Sequence, residues 1–227
     1  MKKSILSRAF KNPKCKEQKK FKVYEYLDRF EFALFLTRRS NGQILSVLLS
    51  FLVIVLLVWG CTPFRHISEH ALTDDDMVLL DVPFVPQAQD NDCGPAALAS
   101  VLKFYGMNVP LDELTAEVYI PALNRTLMPD MENYARNKGF ETSAGSGSIS
   151  LLTKKIDSGH PVIILMDAGT TVIKSPHYIV VWGYNSKGFL AHAGYRDNVF
   201  ISFEDLDPRW QKMNRLYLVL KDNSAGQ

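Results

Sequence analysis

Phosphate-binding glycine loops, zinc-spaced histidine and cysteine pairs, calcium loops and internal repeats are all missing from this chain. Each absence removes a class of function. The one short glycine stretch, Gly145-Ser146-Gly147, follows no clear strand, so a nucleotide cradle is not expected. Five histidines and three cysteines include no set with zinc spacing, and Asp74-Asp75-Asp76 is followed by no EF-hand ligand pattern. No metal and no other cofactor is therefore expected. Cysteine itself is scarce: Cys15, Cys61 and Cys93 are the whole complement.

Charge is missing from one stretch altogether. Residues 1–40 carry 12 basic and 4 acidic side chains, residues 41–60 carry none, and residues 61–227 carry 14 basic and 20 acidic. An acidic body offers no phosphate-neutralising face, which argues against nucleic-acid binding. The uncharged segment contains an unbroken apolar run from Ile44 to Trp59, slightly short of the roughly 20 residues that span a bilayer. Arg38 and Arg39 precede it, so the positive-inside rule places the basic arm in the cytoplasm and the acidic body outside.

The run ends in Val58-Trp59-Gly60-Cys61, which resembles the lipobox of bacterial lipoprotein signal peptides. That resemblance implies cleavage and lipidation at Cys61, although Trp59 is bulkier than usual there. An uncleaved membrane anchor is the alternative. The expected organisation is a basic arm over 1–43, a hydrophobic segment over 44–60, a tether over 61–77, a folded domain over 78–221 and a tail over 222–227. Either form is membrane-anchored in the cell envelope, on the extracytoplasmic (periplasmic) side. The long arm is either a cytoplasmic tail or a sign that translation starts further downstream.

With Cys15 cytoplasmic or removed and Cys61 acylated, Cys93 is left as the one unpaired thiol of an exported domain. A Cys61–Cys93 disulfide is the competing arrangement. Cys93 opens a helical pattern in which Ala97, Leu98, Val101, Leu102 and Tyr105 recur at helix spacing. Asp92 suits an N-cap, Pro95 a first turn and Gly106 a C-terminal stop. A thiol at that point meets unpaired backbone N–H groups and the positive end of the macrodipole, both of which favour thiolate.

Further helices are expected over 111–118, 130–138 and 150–157, with a short helical piece over 204–209. Residues 78–86 read as extended, because Pro83 and Pro86 disfavour helix. Gly145–Ser148 reads as a loop. Buried strands are expected over 162–166, 178–182, 189–191 and 216–220, with a hairpin turn at Asn185-Ser186-Lys187-Gly188. Helices followed by an antiparallel sheet indicate an α+β fold.

A cysteine nucleophile needs a base, and His177 opens the strongest strand. Here the pattern resembles a known family. Val82-Pro83-Phe84-Val85-Pro86-Gln87, then Cys93-Gly94-Pro95-Ala96-Ala97-Leu98 and Phe104-Tyr105-Gly106, is similar to the start of the bacteriocin-processing (double-glycine leader) cysteine peptidases, which are papain-like. Pro176-His177-Tyr178 through Tyr184 is similar to that family's histidine strand. The resemblance implies a helical lobe carrying Cys93 packed on an antiparallel sheet. It further implies Cys93 as nucleophile, His177 as general base, and Gln87 with the Cys93 N–H as the oxyanion hole.

The implied activity is hydrolysis of a peptide or protein by a Cys–His thiolate mechanism, without nucleotide. The family's orienting aspartate has no counterpart, since Ala193 stands at or beside its place, flanked by His192. Asp197 and Asn185 lie nearby in sequence. The alternatives are a catalytically degenerate peptide-binding module, or an acyl or amide transferase on the same scaffold.

Overall fold

The computed structural model describes residues 77–170 and 173–222, together with positions 48, 50, 51, 65 and 66. The described residues from Arg65 onward belong to one compact unit. Positions 48, 50 and 51 are helical, and among the described residues no helix is long and apolar enough to cross a membrane. The rest of the apolar run lies outside the described residues, as does Cys61.

That compact unit begins with two short strands, β1 (Arg65–His66) and β2 (Val78–Leu79). Two residues of the segment read as a tether are thus paired to the sheet. Helix α1 (Cys93–Phe104) follows, its buried face carrying Leu98, Val101 and Leu102. Pro95 costs nothing in its first turn, where backbone N–H groups have no helical partner. Asp92 caps the helix through its carbonyl, which accepts from Ala96 N at 2.9 Å, and its side chain makes no capping bond. The expected side-chain cap is therefore absent: the Asp92 carboxyl is buried instead. At the other end Gly106 takes a positive φ and the chain turns away.

Helix α2 (Leu111–Val118) leads into the small hairpin of β3 (Tyr119–Ile120) and β4 (Arg125–Thr126), and then α3 (Met128–Asn137). Next come β5 (Glu141–Ser146), α4 (Ile149–Asp157), β6 (Val162–Asp167), β7 (Pro176–Tyr184), β8 (Gly188–Ala193), β9 (Arg196–Ser202), α5 (Phe203–Gln211) and β10 (Leu216–Lys221). Ser148 caps α4 by accepting from Leu151 N at 3.2 Å. The main sheet is antiparallel and runs β1-β9-β8-β7-β6-β10-β5, with β2 added on the β7 edge beyond β6.

Gly145–Ser148, expected to be a loop, is partly strand: β5 runs to Ser146 and pairs along its length with β10. Its residues are polar because it is the sheet's last strand, with both faces largely open, so apolar alternation gives no signal there. Strand β9 also escapes periodicity, since Val199, Phe200 and Ile201 are its only apolar residues and a polar run, Arg196-Asp197-Asn198, precedes them.

The sheet is buried on both faces. Tyr178, Val180, Trp182, Leu190, Leu218 and Leu220 pack with α1, α2 and α3. Ile164, Met166, Ile179, Val181, Phe189 and Val219 pack with Leu152, Ile156 and Trp210 of α4 and α5. An α+β architecture results, with the cysteine helix on one face of β7 and a second helical layer on the other.

Candidate active site

Cys93 is the first residue of α1, half-buried, and a free thiol. Cys61, its partner in the alternative disulfide, lies outside the described residues. The backbone N–H groups of Tyr178 in β7, of Gly94 and of Cys93 itself act on the sulfur in the direction that favours its anion. Tyr178 follows His177 directly. The start of the cysteine helix and the start of the histidine strand therefore meet at the sulfur.

Gln87 arrives on the extended strap that precedes α1. Four hydrogen bonds fasten this strap: Leu80 N donates to Trp182 O (2.9 Å), and His192 Nε2 donates to Val82 O (2.9 Å). Val85 N donates to Ser100 Oγ (3.1 Å), and Gln87 N donates to Gly194 O (3.2 Å). The Gln87 side chain is buried, donates from Nε2 to Gln89 O at 2.8 Å, and leaves Oε1 without a partner. An amide nitrogen carries two hydrogens, so one remains beyond the bond to Gln89.

Gly194 is where these side chains converge. It has φ +60°, and a Cβ there would lie 2.5 Å from Gln87 Oε1, 3.0 Å from His177 Cε1 and 3.1 Å from His177 Nε2. Gly194 and Cys93 also line one small cavity, about 10 Å³, with Phe84, Ala97, Tyr178 and His192. The structure thus sets His177 and Gln87 against a glycine that no larger residue can replace without displacing them, and that glycine lines one cavity with Cys93.

The electrostatics of the resting pair run against the expected thiolate. Burial pushes the Cys93 thiol above its ordinary value, opposed by the three backbone N–H donors and assisted by the Asp92 charge. Burial also lowers the His177 imidazole to about 4. Both shifts favour the uncharged thiol–imidazole pair in the substrate-free protein. The helix start does supply N–H donors, as expected, but desolvation outweighs them.

Several residues fall elsewhere. Ala193 pairs with Ile179 across the β7–β8 ladder, so it shares a sheet face with His177, two positions along. No carboxylate is available from that position. His192 belongs to the strap: its ring is buried against Phe84 and Trp182, and Nδ1 accepts from Asn198 N at 3.4 Å. Asn185 Oδ1 closes the hairpin by accepting from Lys187 N and Gly188 N. Asp197 contacts Asn198 Nδ2 at 3.4 Å on β9. His160 pairs through Nδ1 with the Tyr105 hydroxyl, 3.0 Å away. No group of three or more possible metal ligands occurs among the described residues.

Sequence reasoning missed Gly194 and Asp167. Gly194 carries no motif signal beyond following Ala193. Asp167 ends an apolar strand just before Gly169, the sole hint that it organises a turn.

A family model, that of the peptidase C39 family, matches residues 81–224. Among solved structures, the peptidase domain of Streptococcus ComA, a bi-functional ABC transporter involved in a quorum-sensing pathway, is 27% identical with a TM-score of 0.52. The match covers 61% of this chain and 97% of that one. A C39-like peptidase from Bacillus anthracis is 19% identical with a TM-score of 0.54, covering 66% and 99%, and that likeness is one of fold. No curated protein matches the chain.

The shifts predict how Cys93 reacts. Its alkylation by iodoacetamide should keep accelerating as pH rises past about 8.5, the ordinary thiol value. A rate that levels off below pH 7 would instead reveal a preformed thiolate–imidazolium pair.

Proposed function

The chain belongs to the peptidase C39 family and is a cysteine-type peptidase, and we propose that it works extracytoplasmically, tethered to a membrane, with Cys93 as nucleophile and His177 as general base. The observation that supports the assignment of residues is the place of Gly194, which abuts His177 and Gln87 and lines one cavity with Cys93.

A peptide carbonyl enters beside the Cys93 sulfur. His177 takes the thiol proton as sulfur attacks the carbonyl carbon, so charge separates only as the new bond forms. The tetrahedral oxyanion is held by the Cys93 N–H and by the second Gln87 Nε2 hydrogen. A donor of this kind contributes about 3 kcal/mol. The imidazolium returns its proton to the leaving amine, the C–N bond breaks, and a thioester remains on Cys93. Water, deprotonated by the same imidazole, hydrolyses it and restores the thiol.

The peptide character of the substrate agrees with the family; its sequence is left open. A second reading, a catalytically degenerate peptide-binding module, is favoured by one observation: Ala193 on the His177 face offers no orienting carboxylate. The full-length chain incubated with a complex peptide mixture should create new termini detectable by mass spectrometry. Cys93→Ala should abolish them, and Gln87→Ala should slow their appearance by about a hundredfold. Undiminished cleavage by Cys93→Ala would overturn the assignment. No cleavage by a wild-type chain with an intact thiol would favour the binding module.

Tethering is supported by charge and hydropathy alone: 12 basic residues before an uncharged apolar run, and an acidic body after it. Cys61 at the end of that run favours lipidation. Metabolic labelling with an alkynyl fatty acid should mark the wild type and spare Cys61→Ala. Membrane retention without label would point to an uncleaved anchor, and recovery in the soluble fraction would contradict tethering.

A further inference from the structure

His177 stands at a weakly paired end of its strand. On the β6 side it is opposite Met166, but the β7–β8 ladder begins only at Ile179. Ala193, on the same face, supplies no carboxylate. The β6–β7 connection leads directly into His177.

A buried carboxylate sits there. Asp167 is 0% exposed and is paired in register with Pro176, next to His177. Its Oδ1 accepts from Gly169 N at 2.9 Å and from Ser175 N at 2.8 Å, joining the two ends of the connection. Its Oδ2 receives Lys212 Nζ at 3.3 Å. Arg209 Nη1 donates to Asp167 O (3.1 Å) and to Gly169 O (3.0 Å). Ala168 N donates to Ser175 O at 2.8 Å. Gly169 cannot be replaced, because a Cβ there would lie 1.9 Å from Ile173 O.

A fully buried carboxylate is costly to desolvate and survives only when its oxygens are satisfied. Here two of the bonds, Ser175 N to Asp167 Oδ1 and Ala168 N to Ser175 O, fix Ser175 two residues before His177, and the others anchor Asp167 and Gly169. We propose that Asp167, held by Arg209 and Lys212, is a positioning residue for His177, acting through Ser175 and Pro176. The inference rests on His177 being the base. The Asp167 carboxyl is held below the ordinary carboxylate range, chiefly by the Ser175 and Gly169 N–H groups and Lys212, so it is ionised around neutral pH.

The test compares Asp167→Ala with Asp167→Asn in the full-length chain in detergent, labelled with 15N-histidine. Asn keeps an oxygen for the two backbone N–H groups; Ala removes it. For Asp167→Ala, kcat should fall at least about tenfold with KM within about twofold, since small misplacement of a reacting group is expensive in rate. The His177 ring signals should shift or broaden while those of His160 and His192 hold. Asp167→Asn should restore both readouts.

Unchanged kcat and unchanged His177 signals in Asp167→Ala would overturn the proposal, as would an Asn variant no better than Ala. Were Asp167→Ala unable to fold, Arg209→Ala would replace it with the same two readouts, leaving no buried carboxylate removed. If the wild type cleaves no peptide, the peptidase roles fail by themselves. The ring signals still decide the positioning role separately.

Discussion

The site depends on an approach between distant parts of the chain, which sets the backbone N–H of Tyr178 beside the sulfur of Cys93, where it favours the anion. It ties the first turn of α1 to the first residues of β7, although 85 positions of sequence separate them. Both elements are fixed independently by burial: α1 by Leu98, Val101 and Leu102, and β7 by its place in the centre of the sheet. The contact is thus a product of how helix and sheet pack, and the reactive pair inherits its geometry from the core. Gly194 then permits the approach, because any side chain there would occupy the space between Gln87 and His177.

Magnitudes decide the resting charge state. A helix N-terminus contributes roughly 0.3–1 kcal/mol to a nearby anion, and up to about 2 in a partly buried geometry. The helix start thus favours the thiolate only modestly. Desolvation of the half-buried sulfur acts in the opposite direction and prevails, while a buried imidazole near 4 declines the proton at rest. Under the proposed roles, a pair that stays neutral until a carbonyl arrives confines its nucleophile to the moment of attack, and carbonyl polarisation with the oxyanion donors supplies the stabilisation that a resting thiolate lacks.

How much of this was legible in the sequence follows from where each signal resides. The cysteine helix was readable because Pro95, the apolar spacing from Ala97 to Leu102, and Gly106 are local features. Strand β7 was readable from its continuous apolar run. The candidate pair Cys93 and His177 needed the family resemblance, since a histidine at a strand start is ordinary by itself. Strands β5 and β9 were hidden by polar composition, one at the sheet's edge and the other half-exposed. Asp92 looked like a side-chain cap and is not one, because its carboxyl turns into the interior and its carbonyl serves the helix. Gly194 and Asp167 matter only through partners far along the chain or across a turn, which spacing alone does not encode.

The most direct measurement of the central claim is bifunctional cross-linking with 1,3-dibromoacetone, whose three-carbon bridge joins a thiol to an imidazole only when the two nearly touch. Peptide mapping of the treated chain should recover a single bridged species linking Cys93 to His177. A product carrying reagent on Cys93 alone, or bridged to another histidine, would contradict the account.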